Sequence, residues 1–180
     1  MTARPRNLLI LMSDEHRRDA ARFMGHAAAA TPALDRLAER GTVFDNAYTP
    51  APICVPARAA FATGLPTHRT GHWDSAAPWT GHPRGWMHTL RDAGIHTATF
   101  GKLHYYSGCD PGAIEEVVPM HVAGEGWTVS LVRDGTATFP AAPELARDTA
   151  TGETGTLRYD RAVPDAAVRW PASDDRTSRP

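Results

Sequence analysis

The densest chemistry in this sequence sits in Cys54-Val55-Pro56-Ala57-Arg58. A cysteine just ahead of a Pro-initiated helix lies where unpaired backbone N–H groups and the helix dipole favour an anion. Arg58, one turn further on, adds a permanent cation and a forked hydrogen-bond donor. By themselves these residues suit an activated thiolate or an anion site built around Cys54. They equally suit a buried structural cysteine with Arg58 in a surface ion pair. Two other polar groups bear on the choice. Asp14 follows the apolar run Asn7 to Ser13, and Lys102 and His104 lie in Gly101-Lys102-Leu103-His104, behind the run Ile95 to Phe100.

The elements that would position them are readable from pattern. Asn7 to Ser13 is continuously apolar, as expected of a strand buried on both faces in a parallel sheet. Thr31 suits an N-cap, Pro32 the first helical position and Gly41 a left-handed stop. Leu34, Leu37 and Ala38 then form one buried stripe. A second helix is expected from Pro56 through Ala62 with a stop at Gly64, and a third from Trp86 to Ala93 ending at Gly94. Ile95 to Phe100 reads as a strand, so Asp14 and the pair Lys102/His104 would both lie just past strand ends. In open α/β sheets that is where ligands gather. Further on, Glu115 to His121 and Trp127 to Val132 read as short strands or loop, and Arg133 to Leu157 as a surface excursion. Tyr159 to Trp170 reads as helical but interrupted by Pro164.

Composition narrows the class. The chain has 180 residues, and 19 Lys+Arg against 20 Asp+Glu leave a net charge of -1, which argues against a nucleic-acid binder. No apolar run approaches the ~20 residues that span a bilayer, so no membrane segment is expected. Arg4 and Arg6 precede Leu8-Leu9-Ile10-Leu11-Met12, but Asp14-Glu15 stand where a leader's small cleavage residues belong. Two cysteines, Cys54 and Cys109, make no disulfide framework. A cytoplasmic chain is the expectation.

The segments Asn7 to Glu15, Thr31 to Ala38, Cys54 to Arg58, Thr63-Gly64 and Gly94 to His104 come in the order and spacing of the sulfatases. The sequence resembles the formylglycine-dependent sulfatases of the alkaline phosphatase superfamily, nearest to the cytoplasmic bacterial branch with choline sulfatase and the phosphonate monoester hydrolases. The likeness is strong from Arg4 to about His104 and fainter to about Trp170. It implies an α/β fold, a mostly parallel sheet sandwiched by helices, and a sulfuric ester hydrolase. Residues 1–170 would be the amino-terminal part of the catalytic domain, and 171–180, with no large apolar residue, a disordered tail.

The resemblance also implies roles. Cys54 would be converted to formylglycine by a formylglycine-generating enzyme. One hydroxyl of the hydrated aldehyde would attack sulfur, and loss of the second hydroxyl's proton would expel sulfate. Asp14, with the oxygen at position 54, would bind a divalent cation, Ca²⁺ or alternatively Mn²⁺ or Mg²⁺. Glu15 stands where relatives carry Asp, Asn or Gln. Arg58 would hold the formylglycine, Lys102 would stabilise developing charge, and His104 would take the proton that releases sulfate. The substrate would be a small sulfate ester. A phosphonate monoester or phosphodiester is the alternative, and a remnant that only binds oxyanions or a partner is a further one. A fourth reading is a thiol-dependent enzyme using unmodified Cys54 with His104. A second ligand pair, usually Asp followed by Asn or His, is implied but not found here; Asp174-Asp175 follows no strand. His68, His72, His82, His88 and His121 are expected at the surface or in a substrate pocket, and Trp73, Trp79 and Trp86 in core or pocket wall.

Overall fold

The computed structural model describes residues 7–122 and 152–170. It divides the chain into two compact units, Met1–Tyr48 and Thr49–Pro180. Predictions for Trp127 to Val132, for most of Arg133 to Leu157 and for the tail 171–180 fall outside the described residues.

In the first unit, short 3-10 turns at Arg18–Ala20 and Arg22–Met24 precede α1, Pro32–Arg40. Pro32 opens α1 as predicted, but the Thr31 hydroxyl does not cap it. That oxygen accepts the Arg22 N–H at 2.9 Å and donates to Asp35 Oδ1 at 3.1 Å, and Asp35 Oδ1 also accepts the Phe23 N–H. The polar side chains therefore tie α1 to the turn before it. Leu34 and Leu37, predicted to be buried, are exposed, because the element packed on α1 is this polar-bonded turn. Gly41 is extended, not left-handed (φ -119°, ψ -164°). Asn7 to Ser13 forms no strand, and Leu8, Leu9 and Leu11 are each more than 75% exposed. A strand needs a neighbouring strand to complete its ladder hydrogen bonds, and among the described residues only β1 and β2 pair.

The second unit is α/β. α2 (Cys54–Thr63) ends at Gly64, whose φ of 68° and N–H to the Ala60 carbonyl make the predicted left-handed stop. It is followed by α3 (Thr67–Thr70), α4 (Trp86–Asp92), β1 (Ala98–Tyr106), β2 (Glu115–Val122) and α5 (Gly155–Arg169). β1 and β2 are parallel. The core joins Ala59 and Ala62 of α2 to Trp79, Met87 of α4 and Tyr105 of β1. Alanines on the inner face of α2 let it approach close to these large side chains. Trp79 is fully buried, donates its indole N–H to the Pro83 carbonyl and meets Tyr105 edge-on at 4.8 Å. Trp73, by contrast, is half exposed.

α5 runs through Pro164 rather than breaking there. Tyr159, Ala162, Val163, Ala166, Ala167 and Trp170 make one half-buried stripe, whereas Pro164 and Asp160 are exposed. The Asp160 carbonyl that Pro164 cannot bond is thus open to water. Thr154 caps the start by accepting the Leu157 N–H.

Candidate functional site

α2 starts two residues earlier than predicted, its first backbone bond running from the Ala57 N–H to the Ile53 carbonyl. Cys54 is therefore the first helical residue, partly buried, with an N–H that has no partner inside the helix. Arg58 is four residues on, so it shares Cys54's side of the helix. The Arg58 guanidinium crosses to β1 and donates to the backbone carbonyl of Lys102.

Lys102 and His104 lie inside β1, not beyond it as predicted. The prediction failed because Gly101 looks like a strand terminator. Its left-handed φ of 82° instead kinks a strand that continues, and His104 is left-handed as well, at 60°. The pairing with β2 shifts at both places. Between the Phe100–Val117 and Lys102–Met120 pairs β2 has one residue more than β1, and Val118 there has φ 51°. Between the Lys102–Met120 and Tyr106–Val122 pairs β1 has the two extra residues, around His104. Bulges of this kind re-aim side chains and are frequent beside active sites.

Electrostatics follow from burial. Burial pushes the Tyr105 hydroxyl well above the usual phenol range, a shift that the nearby Arg58 cation partly offsets. Tyr159 of α5 shows the same pair of influences and donates its hydroxyl to the Val118 carbonyl at 3.1 Å. Burial, reinforced by Glu116 and Asp110, pushes the Cys109 thiol up to about 11. His88 is buried and structural: its Nδ1 accepts the Gly85 N–H at the start of α4, which leaves Nε2 towards Asp110 at 3.7 Å. His121 pairs with Glu116 at 2.8 Å.

Asp14 lies in the first unit, on a bend, exposed, followed by Glu15 with a left-handed φ of 55°. A hard divalent cation takes about six oxygens or more. Among the described residues no group of three or more His, Cys, Asp or Glu side chains could hold such an ion. No helix among the described residues is long and apolar enough to cross a membrane.

Sequence reasoning missed Tyr105, Val118 and Tyr159. A glycine inside an apolar run could have marked the kink. Nothing local announces a left-handed β-branched residue such as Val118, or a tyrosine reaching it from α5, 41 residues away in sequence.

The family model described as Sulfatase matches residues 6–117. Arylsulfatase K of Danio rerio is 32% identical over 91% of this chain and 29% of its own length. Choline-sulfatase of Rhizobium meliloti is 35% identical over 75% of this chain and 27% of its own. N-acetylglucosamine-6-O-sulfatase of Bacteroides thetaiotaomicron is 36% identical over 59% of this chain and 19% of its own. The chain thus spans less than a third of the length of these relatives. With the family model covering more than half of the sequence, including Cys54, Arg58, Lys102 and His104, the chain belongs to the sulfatase family.

Proposed function

We propose that this chain carries the nucleophile side of a sulfuric ester hydrolase site, with Cys54 matured to formylglycine by a formylglycine-generating enzyme. The observation that carries the reading is the bond from the Arg58 guanidinium to the Lys102 carbonyl. It ties the first turn of α2, where Cys54 sits, to the stretch of β1 that holds an ammonium and an imidazole. The sulfatase names of the relatives support a sulfate ester as substrate.

A formylglycine at position 54 supplies a hydrated aldehyde oxygen as nucleophile. Arg58 fixes the helix start and places positive charge beside it. Lys102 stabilises charge as it develops on the ester oxygens, and His104 accepts a proton as sulfate leaves.

The test is peptide mass spectrometry across Cys54 after co-expression with the maturing enzyme, alongside turnover of aryl sulfates, phosphodiesters and phosphonate monoesters. Aldehyde at position 54, with sulfate ester turnover lost in Cys54→Ala, is the expected result. A persistent thiol, or turnover unchanged in Cys54→Ala, overturns the proposal. Faster turnover of phosphodiesters or phosphonates than of sulfates overturns the substrate class.

A further inference from the structure

Helix α5 lies outside the residues that the family model matches, yet it packs on both strands of the site. Tyr159 and Val163, one turn apart, face the kink in β1. A Cβ added at Gly101 would lie 2.9 and 3.0 Å from the Val163 methyl carbons and 3.5 Å from the Tyr159 hydroxyl. That same hydroxyl donates to the carbonyl of Val118, the left-handed residue in the bulge of β2 opposite Gly101 and Lys102. A left-handed φ at a β-branched residue is strained and persists only where the surroundings hold it. Gly101 is thus covered by α5, while the carbonyl of the next residue, Lys102, is gripped by Arg58.

We propose that Tyr159 is a positioning residue for the ester-hydrolysing site: tied to Val118 and seated over Gly101, it locks the paired bulges that set where Lys102 and His104 stand relative to Cys54. This rests on the functional reading above. Tyr159 touches the backbone that carries the site and needs no contact with substrate. Its hydroxyl is the operative group, because only that atom reaches the Val118 carbonyl.

The experiment compares the full chain with Tyr159→Phe, which keeps the ring and removes the hydroxyl. Amide hydrogen exchange followed by mass spectrometry reads the tie without activity. Peptides covering 98–106 and 115–122 should exchange about tenfold faster in Tyr159→Phe, with the α4 peptide 86–92 unchanged. In matured protein kcat should fall about tenfold with KM within about twofold, since ground-state binding is untouched. Unchanged exchange in β1 and β2 overturns the proposal, as does faster exchange everywhere, which would make Tyr159 a general stability residue. A fall in exchange protection without any sulfate ester turnover by the wild-type chain supports the tie and refutes the hydrolase reading instead. A KM effect with kcat unchanged overturns positioning in favour of substrate contact.

Discussion

Gly101 offers the sharpest physical test of how α5 and the strands fit. Gly101→Ala asks two separate things of the structure. An L-residue must adopt φ 82°, and its methyl must enter space that Val163 already fills at 2.9 and 3.0 Å. The backbone cost is about 1–2 kcal/mol, and the overpacking cost about 1–3 kcal/mol. Loss of glycine's unfolded-state freedom returns about 0.4–1 kcal/mol. The net destabilisation is about 1–5 kcal/mol, which at its upper end is a large part of the roughly 5–15 kcal/mol that holds a typical domain together. Val163→Ala removes both offending methyl groups, and the next nearest atom, the Tyr159 hydroxyl at 3.5 Å, is an ordinary contact. The double variant should recover the overpacking part and keep the backbone part, a coupling of about 1–3 kcal/mol. Urea unfolding of the wild type, both single variants and the double variant measures it. Tryptophan fluorescence is a suitable signal because Trp170, next to the end of α5, stacks on His96 and meets Phe100 edge-on. Additivity within about 0.5 kcal/mol, or a neutral Gly101→Ala, would refute the packing argument.

Two further outcomes follow from the titrating groups. In unmatured protein at pH 8, iodoacetamide should label Cys54 well before Cys109. With its thiol pushed up to about 11 by burial, Cys109 holds only about one part in a thousand as thiolate; equal labelling rates in a peptide map would contradict this. Asp110 accepts two N–H groups from Arg91, at 2.8 and 2.7 Å, and one from Gly112, which hold its carboxyl down to about 2. A carboxyl lowered by folding contributes stability above its ordinary value of 3.8 and loses it as pH falls towards 2. Because Asp110 is largely exposed, the effect is small. The Tm gap between wild type and Asp110→Asn should still narrow from pH 5 to pH 2, and a gap independent of pH would sink the assignment.

What could be read without coordinates was local. Gly64 ends α2 in the left-handed state because only glycine takes that conformation without steric cost, and a helix stop is decided within one turn. The stripe from Tyr159 to Trp170 forms a helix because its spacing is helical, even with Pro164 on the wet side. Gly41 shows the limit of the same rule: a glycine after a helix permits the left-handed state but does not require it. The apolar run Asn7 to Ser13 announces the wish to be buried, not the partner, and a strand exists only where another strand supplies its hydrogen bonds.

The sequence by itself therefore determined the inventory of chemistry: a cysteine, an arginine one turn on, and a lysine and a histidine two residues apart after a glycine. That much depends on residue identity and short-range spacing. Tertiary structure alone decided that Lys102 and His104 stand within a bulged strand, that Arg58 spans 44 residues of sequence to hold the Lys102 carbonyl, and that Tyr159 braces the opposite bulge. Bulges and backbone ties are settled by which strand lies alongside and which helix covers the kink. Those contacts are between residues far apart in the chain, and no short window of sequence contains them.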